Sequence, residues 1–181
     1  LLDCCQESDG GQAILVTSLE RARDLPNPPA VIASAAQGAT DDQQAMRSYY
    51  RDDISRIPEM KLCADQLWKN TGLGPSDIQV ANIYDHFTPL FLPQLEEFGF
   101  CEKGEAKEFL RDGNIEMDGL LPTNTNGGQL GEAYIHGMNG IAEAVRQIRG
   151  TSVNQVENVE NALVTAGTSV PTSALILSQD R

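Results

Sequence analysis

The sequence predicts an α/β domain built on a mixed β-sheet. Short apolar runs bounded by Gly, Pro and Asn are typical of buried strands, and they alternate with segments of helical spacing. The chain closes on two apolar runs, residues 159–167 and 172–178, which we interpret as an antiparallel strand pair. With 181 residues, 40% of them hydrophobic, the chain is long enough to bury a sizeable core.

The first half of the chain is predicted to hold two strands and two helices. Residues 11–18 (GQAILVTS) follow a DGG turn and have the composition of a buried strand, and residues 19–25 predict a short helix that PNPP ends. Residues 30–38 predict a second strand, rich in small side chains. The polar residues 39–53 are interpreted as a loop or a loose helix. Residues 57–73 have helical spacing that a glycine ends.

The second half is predicted to add three strands, counting the closing pair. Residues 78–83 predict the first of these, residues 89–100 a helix despite Pro93, residues 102–113 a solvated helix and residues 114–122 a small hairpin. Beyond a Gly-rich turn, apolar or small side chains recur at i, i+3, i+4 and i+7, which predicts a helix with one apolar face. That stripe comprises Leu130, Ala133, Tyr134, Gly137, Met138, Ile141, Ala142, Val145 and Ile148.

The charge of the chain argues against two classes of partner. The formal net charge is −13, whereas nucleic acids and anionic membrane surfaces both require a cationic face. The first 18 residues contain no basic segment and only a short apolar run, so we expect neither a signal peptide nor a membrane span.

Four cysteines indicate the compartment. Cys4, Cys5, Cys63 and Cys101 match neither a zinc-ligand spacing nor a C-x-x-C redox motif. We therefore interpret them as free thiols and expect a cytoplasmic location. Because the chain lacks an initiator Met and begins almost at once with a turn and a strand, we also expect it to be a segment of a longer protein.

Both histidines of the chain follow a tyrosine by two residues, as Tyr84-Asp85-His86 and Tyr134-Ile135-His136. The first motif lies where a strand is predicted to end, and the second where a Gly-rich turn enters a helix; both are favoured positions for ligand sites in α/β proteins. A phenol at a helix N-terminus would be stabilised as an anion, which a tyrosine base requires.

A structural interpretation of the same residues is also open. Tyr134 falls on the apolar stripe and could be a core tyrosine, Asp85 could cap a strand end, and His86 could be a surface imidazole. The pair Gly127-Gly128 could be a plain tight turn. The sequence contains no phosphate-binding loop, no dinucleotide fingerprint, no G-x-S-x-G elbow and no ligand cluster with metal spacing.

Three segments carry a resemblance to a known family. They are NIYDHFTPLFLPQLEEFGFCEKGE (82–105), LPTNTNGGQLGEAYIHGMNGIAEAVRQIRG (121–150) and GTSVPTSALIL (167–177). In order and spacing they resemble the C-terminal half of the thiolase superfamily, and more narrowly its sterol-carrier or lipid-transfer-protein-like branch, which includes bacterial steroid side-chain aldolases. SDGGQAILVTSLERARDL (8–25) resembles the segment that closes the N-terminal half of that fold.

The resemblance implies a fold and a domain division. The fold would be thiolase-like, with a mixed five-stranded sheet and helices on both faces, equivalent to the C-terminal half of the thiolase αβαβα sandwich. Residues 1–28 would be the end of the N-terminal domain, comprising its last strand and a short helix. Residues 29–181 would form the C-terminal domain.

Departures from the thiolase motifs are as informative as the matches. Thiolases carry an N-E-A-F or H-D-C-F motif whose first residue helps form an oxyanion hole, and here the motif starts at Tyr84. They also carry G-G-x-x-x-x-G-H-P-x-G with a catalytic His, a position that Tyr134 takes when counted from Gly127-Gly128. Thiolases also carry a C-x-G motif whose Cys acts as an acid and base. The matching stretch of this chain contains no Cys, and Ala166 or Gly167 is nearest to its position.

Tyrosines in both places resemble the aldolase branch, which implies retro-aldol cleavage. A β-hydroxyacyl-CoA on a steroid side chain would give a ketone and a shorter acyl-CoA, propionyl-CoA. Tyr84 and Tyr134 would transfer the protons; we assign the base to Tyr134 because of its expected helix N-terminus, and the reverse assignment stays open. His86 and His136 would orient or polarise the phenols, or donate hydrogen bonds to the enolate oxygen.

The remaining expectations concern ligands and partners. Substrate-binding positions are expected at Asp85, Asn124, Asn126, Gly127, Gly128 and Gly167. No metal and no cofactor are expected, since CoA enters as part of the substrate. The resemblance implies a homodimer and a zinc-ribbon/OB-fold partner of unknown-function type.

Two other functions stay open at this point. The chain could belong to a catalytically silent thiolase-like carrier of lipids or acyl-CoA, in which the tyrosines only fill a pocket. It could also belong to an ordinary thiolase, an acetyl-CoA acyltransferase that uses a compensating residue.

Overall fold

A computed structural model describes residues 2–41, 51–168 and 171–180. Helices and strands alternate as far as the third helix, as the sequence predicts; three further helices and two strands follow within these residues. In chain order they are α1 (Leu19–Arg23), β1 (Ala30–Gln37), α2 (Pro58–Thr71), β2 (Val80–Asn82), α3 (Thr88–Glu97), α4 (Ala106–Arg111), α5 (Gly128–Gly131), α6 (Met138–Arg149), β3 (Asn161–Ala166) and β4 (Ser173–Gln179). A short 3-10 turn, Pro75–Asp77, precedes β2.

The sheet is mixed, which confirms the predicted α/β class. Its strand order is β1-β4-β3-β2, with β2 parallel to β3 and the other two pairs antiparallel. The predicted pairing of the two closing strands is confirmed, with Ala162 opposite Leu177 and Val164 opposite Leu175. The prediction of five strands is wrong, because the described residues form a sheet of four.

The missing strand is the predicted one at residues 11–18. This segment has no regular structure, and its apolar side chains face solvent: Leu15 is 82% and Val16 is 69% exposed. A β-strand requires a hydrogen-bonding neighbour, and no described strand pairs with these residues. The segment has the apolar composition of a strand, but the described residues include no neighbouring strand to which it could bond.

Helices cover both faces of the sheet, also as predicted. On one face α2 contributes Met60 and Leu67 to a core that includes Leu163 of β3. On the other face α6 contributes Ala144 and Ile148 to a second cluster. The central strands are therefore buried on both sides, which explains why their sequences are continuously apolar and do not alternate.

Several predicted element boundaries are confirmed. Gly72 ends α2 with a positive φ of 72°, a conformation that glycine adopts without strain. Helix α3 forms around Pro93, as expected.

Other predicted boundaries differ from the structure. The solvated helix predicted at residues 102–113 is shorter, spanning Ala106–Arg111, and its first residue, Ala106, is buried. Residues 114–122 form turns instead of a hairpin, and most of the predicted loop 39–53 lies outside the described residues.

The apolar stripe is divided between two helices. Helix α5 ends at Gly131, and α6 begins only after Gly137, whose φ of 87° is incompatible with a continuous helix. The prediction of one continuous helical face is therefore wrong. The buried face of α6 also carries polar side chains, Asn139, Glu143 and Gln147. No helix within the described ranges is long and apolar enough to cross a membrane.

Candidate active site

Tyr84 lies two residues beyond β2, and its backbone is held by two other elements. Its amide donates a hydrogen bond of 2.9 Å to Oγ1 of Thr165 on β3, and its carbonyl accepts one of 2.8 Å from Nε2 of Gln94 on α3. Thr165 Oγ1 donates a hydrogen bond of 2.6 Å to Gln94 Oε1, so the two side chains that bond to Tyr84 also bond to each other. A strand end, a neighbouring strand and a helix thus fix the position of Tyr84 together.

The two motif tyrosines meet at their hydroxyl groups. The phenol oxygens of Tyr84 and Tyr134 are 2.8 Å apart, within hydrogen-bond distance, and either can be the donor. Tyr84 is only 7% exposed, whereas Tyr134 is half-buried. The structure therefore brings together two residues separated by 50 positions in the chain, as the shared site requires.

Tyr134 lies in the loop of residues 132–137, between α5 and α6. It precedes the first residue of α6 by four positions, outside the turn in which the helix dipole acts. The argument that a helix N-terminus makes Tyr134 the base is therefore wrong. The loop is tied to α6, because Asn139 Nδ2 donates to the carbonyl of Ala133 at 3.2 Å.

The environment of Tyr84 shifts the pKa of its phenol. Burial, and next the hydrogen bond to Tyr134, raise the pKa of Tyr84 well above its ordinary value. The Tyr84 hydroxyl consequently stays protonated at neutral pH. In this pair, Tyr84 is suited to donate a hydrogen bond or a proton, and not to act as the base.

Each histidine packs at a tilt against the tyrosine of its own motif. The ring centroids are 4.7 Å apart for Tyr84 and His86, and 4.4 Å apart for Tyr134 and His136. Burial lowers the pKa of His86 to about 4, so this imidazole is neutral at pH 7, and its Nδ1 is a buried atom without a hydrogen-bond partner in the described structure. His136 is exposed and has a φ of 48°. The two imidazoles therefore occupy contrasting environments.

Asp85 organises the Gly-rich turn. Its Oδ1 accepts a hydrogen bond of 2.6 Å from the amide of Gln129 in the first turn of α5. Gly128 has a φ of 66°, and a Cβ there would lie 2.1 Å from Asp85 Oδ2. Burial raises the pKa of Asp85, an effect that the bond from Gln129 opposes. The carboxylate of this predicted substrate-binding residue is thus engaged within the protein.

The predicted asparagines also bond to the protein. Asn124, with a φ of 51°, accepts from the amide of Ile83 at 2.7 Å and donates to its carbonyl at 2.9 Å, like an added strand residue. Asn126 donates to Glu132 at 2.6 Å and accepts from the Gly128 amide at 3.2 Å. Both side chains shape the turn that leads to Tyr134.

The last two predicted positions are glycines in tight backbone conformations. Gly127 has a φ of 99°, and a Cβ there would approach Gly131 to 3.3 Å. Gly167 follows β3 with a φ of 74°, and a Cβ there would lie 1.7 Å from the carbonyl oxygen of Pro171. Both positions need glycine for the fold.

Sequence reasoning missed the polar residues that support the pair. Besides Gln94 and Thr165, they include Gln129, whose Nε2 donates to Asn139 Oδ1 at 2.7 Å and whose Oε1 accepts from the Gly137 amide at 3.4 Å. All are buried. A polar residue inside an apolar run, such as Thr165 within NALVTA, is the signal that could have identified them.

The N-terminal segment borders the site. The Cys5 amide donates to the His86 carbonyl at 2.9 Å, and the Thr88 amide donates to the Asp3 carbonyl at 3.2 Å. Within residues 2–41, 51–168 and 171–180, no group of three or more His, Cys, Asp or Glu side chains could hold a metal ion. The side chains that meet at Tyr84 and Tyr134 are two phenols and two imidazoles.

Comparison with known proteins identifies the relatives of this chain. Residues 39–179 match the family model of the thiolase C-terminal domain-like proteins. A steroid side-chain-cleaving aldolase of Thermomonospora curvata is 70% identical over 181 residues, which is 100% of this chain and 46% of that protein. A 17-hydroxy-3-oxo-4-pregnene-20-carboxyl-CoA lyase of Mycobacterium tuberculosis is 66% identical over 177 residues, 98% of this chain and 46% of that protein.

A solved structure agrees with these similarities. The structure named Ltp2-ChsH2(DUF35) aldolase superposes on all of this chain with a TM-score of 0.97 and 70% identity, over 47% of the solved chain. This chain therefore spans about half the length of the relatives that it matches.

Proposed function

This chain belongs to the thiolase C-terminal domain-like family, and we propose that it supplies the proton-transfer residues of a carbon–carbon lyase. The proposed reaction is retro-aldol cleavage of a 17-hydroxy steroid whose side chain ends in a CoA thioester. The names of two relatives, an aldolase and a lyase at 70% and 66% identity, support this substrate class. The direct contact of the Tyr84 and Tyr134 hydroxyl groups carries the proposal.

The first step removes the proton of the substrate hydroxyl. We assign this step to Tyr134, because burial raises the pKa of Tyr84 and disfavours the anionic form that a base requires. Tyr84 donates in the 2.8 Å hydrogen bond when Tyr134 acts as the base. Tyr134 is also the base that we assign from the sequence, but the reason differs. The argument now depends on the burial of Tyr84 and not on a helix dipole at Tyr134.

The second step breaks the bond between the carbinol carbon and the α-carbon of the thioester. The carbinol electrons form the C=O bond of a ketosteroid, and the pair from the broken bond passes into a thioester enolate. A proton returned through the tyrosine pair to the α-carbon gives propionyl-CoA. Atoms and charge balance without an oxidant, reductant or cofactor, and CoA enters only as part of the substrate.

The other predicted residues assist in two ways. His86, neutral at pH 7 and in ring contact with Tyr84, can donate a hydrogen bond to an enolate oxygen without carrying charge itself. Exposed His136 lies beside Tyr134 and orients its ring. In the proposed lyase the thioester lies against the turn that contains Asn124, Asn126, Gly127 and Gly128, with Asp85 as the internal anchor of that turn, and Gly167 is a further proposed contact.

A partner and a dimer are part of the proposal. The name of the solved relative, Ltp2-ChsH2(DUF35) aldolase, supports a DUF35 partner, which agrees with the zinc-ribbon/OB-fold protein expected from the sequence. The thiolase resemblance supports a homodimer. It also supports a domain boundary between residues 28 and 29, and four free cysteines support a cytoplasmic location.

The reaction is tested by incubating the full-length protein with its DUF35 partner and 17-hydroxy-3-oxo-4-pregnene-20-carboxyl-CoA. We expect equimolar release of a 17-ketosteroid and propionyl-CoA, measured by liquid chromatography with mass detection. A 17-deoxy analogue is the matched control, because it lacks the proton that the base removes and the oxygen that becomes the ketone.

Two other outcomes would point to the rival functions. Tight binding of the steroid thioester without any product would overturn the lyase and favour a carrier. Acetyl transfer to free CoA, or an acyl group trapped on a Cys, would favour a thiolase. The absence of a Cys from residues 161–168, and Tyr134 in place of the thiolase His, argue against that chemistry.

A further inference from the structure

A small, partly open cavity adjoins Tyr84 at the end of β2. It offers about 10 Å³ to the centre of a water molecule, which is close to the least space that holds one water. Polar and apolar surfaces contribute almost equally to its lining, and the residues with polar or backbone groups there include Asn82, Asn126, Gly128, Gln129, Gly140 and Thr165. A cavity of this size with polar groups in its lining has room for one water molecule.

Asn82 is the unusual residue in this lining. Its side chain is on the last residue of β2 and is only 3% exposed, yet neither Oδ1 nor Nδ2 has a hydrogen-bond partner among the described residues. A buried polar group without a partner costs about 1–3 kcal/mol. Native proteins seldom leave such groups unbonded, and a buried water is the usual partner where no protein group is near.

Neighbouring side chains have their partners elsewhere. The amide of Asn124 bonds twice to the backbone of Ile83, and the hydroxyl of Thr165 bonds to Tyr84 and Gln94. The space above Asn82 is left open by a glycine within α6: a Cβ on Gly140 would lie 3.4 Å from Asn82 Cβ. Inside a helix, glycine is about 1 kcal/mol less favourable than alanine. Gly140 therefore lowers the stability of α6 while it leaves this space open.

We propose that Asn82 holds one buried water in this cavity and is thereby a positioning residue for Tyr84. The water joins the amide of Asn82 to polar groups of the loop 124–129, β3 and the start of α6. Since Tyr84 follows Asn82 by two residues and also lines the cavity, this water fixes the backbone that sets the distance between the two phenols. The catalytic part of this inference rests on the proposed lyase function.

The water itself is tested by a crystal structure of the full-length protein with its partner, at a resolution that shows ordered solvent. We expect one density peak in the cavity within about 2.7–3.2 Å of both amide atoms of Asn82. An empty cavity, or direct hydrogen bonds from Asn82 to protein groups in place of water, would overturn the proposal. This measurement does not depend on any activity, so it stands if the lyase function fails.

The positioning role is tested with three variants in the steroid thioester assay. Asn82→Leu has the same number and branching of side-chain heavy atoms and cannot bind water, so we expect kcat to fall about tenfold while KM changes less than about twofold. Asn82→Ser keeps a hydroxyl and leaves room for a second water, and should recover most of kcat. Gly140→Ala fills the cavity from the opposite side and should reproduce the loss seen with Leu, although it favours the helix.

The outcomes are distinct. Unchanged kcat in Asn82→Leu or Gly140→Ala, or an equal loss of kcat in Asn82→Ser and Asn82→Leu, would overturn the positioning role. Should Asn82→Leu fail to fold, Gly140→Ala and Asn82→Ser decide the question. A wild-type protein with no lyase activity would instead count against the proposed function, and the crystal structure would still test the water.

Discussion

Tyr84 and Tyr134 share one hydrogen bond, but the segments that carry them are built differently. The backbone amide and carbonyl of Tyr84 both bond to side chains, from β3 and α3 respectively, and its ring is buried. Around Tyr134, side chains bond to the backbone of its neighbours. One side chain donates to the Ala133 carbonyl, and another accepts from the Gly137 amide. One phenol is held by the core, and the other by a loop between two helices.

This contrast indicates a division of labour. Burial that fixes Tyr84 also raises its pKa and keeps it protonated. The loop of Tyr134 has positive φ values at His136 and Gly137, a conformation set by turns and not by a helix or strand. In the proposed lyase, a fixed donor paired with a base on a surface loop would let the substrate reach the base while the donor stays buried. The predictions below test this contrast.

The largest expected effect is on turnover. In the proposed lyase, Tyr84→Phe and Tyr134→Phe each remove a proton-transfer group, so each should lower the rate of propionyl-CoA release by about 10²–10⁴-fold. The double variant should be little worse than the more impaired single variant, because the two phenols act as one unit. Circular dichroism and thermal melting control for folding, and near wild-type turnover in either single variant would remove its role.

The next effect separates two glycines of the same turn. Gly128→Ala introduces a Cβ at positive φ, 2.1 Å from Asp85, so we expect a loss of about 1–3 kcal/mol or more in the free energy of unfolding. Gly131→Ala is the matched control, since nothing lies within 4 Å of its Cβ, and it should change stability by less than about 0.5 kcal/mol. Chemical denaturation measures both, and equal effects would show that Asp85 does not fix the turn.

A smaller loss is expected on the Tyr84 side. Thr165→Val has nearly the same shape but leaves the Tyr84 amide without its acceptor and Gln94 without its donor. We expect a loss of about 1–3 kcal/mol in unfolding free energy, together with lower kcat. Thr165→Ser keeps the hydroxyl and should lie close to wild type. If the valine variant matched the serine variant, the core would not hold Tyr84 through this hydroxyl.

The smallest effect concerns pH. His86 has a pKa lowered to about 4 in the folded protein, from a reference value of 6.5. Because the unfolded chain binds the proton more readily, His86 disfavours folding progressively as pH falls from about 6.5 to 4, and has no such effect above 6.5. Melting temperatures of His86→Asn should therefore fall less over this range than those of wild type. The control is His136→Asn at the exposed histidine, and parallel curves for all three proteins would contradict the prediction.

Local features of the sequence predicted most of the regular structure. The helical spacing of residues 57–73 and the glycine at 72 predict α2 and its end, because periodicity and left-handed caps depend on neighbouring residues alone. The apolar runs at 159–167 and 172–178 predict β3 and β4 for the same reason. The two Tyr-x-His motifs, counted against the thiolase pattern, also identified the pair that the structure joins.

Other features were decided only by tertiary structure. Residues 11–18 have the composition of a strand, but composition cannot supply a neighbour, and the segment is exposed. The stripe from Leu130 to Ile148 has helical spacing, yet Gly137 divides it, because the chain must turn there to bring Tyr134 to Tyr84. Spacing describes which side chains share a face and not which face is buried.

The sequence by itself thus determined the α/β class, most of the helices and strands, and the residues able to move protons. Only the tertiary structure decided that burial raises the pKa of Tyr84, that Asp85 and Asn124 bond to backbone, and that the amide of Asn82 faces a cavity. The physical reason is that burial and hydrogen-bond partners come from segments distant in the chain, here 50 residues apart for the two phenols.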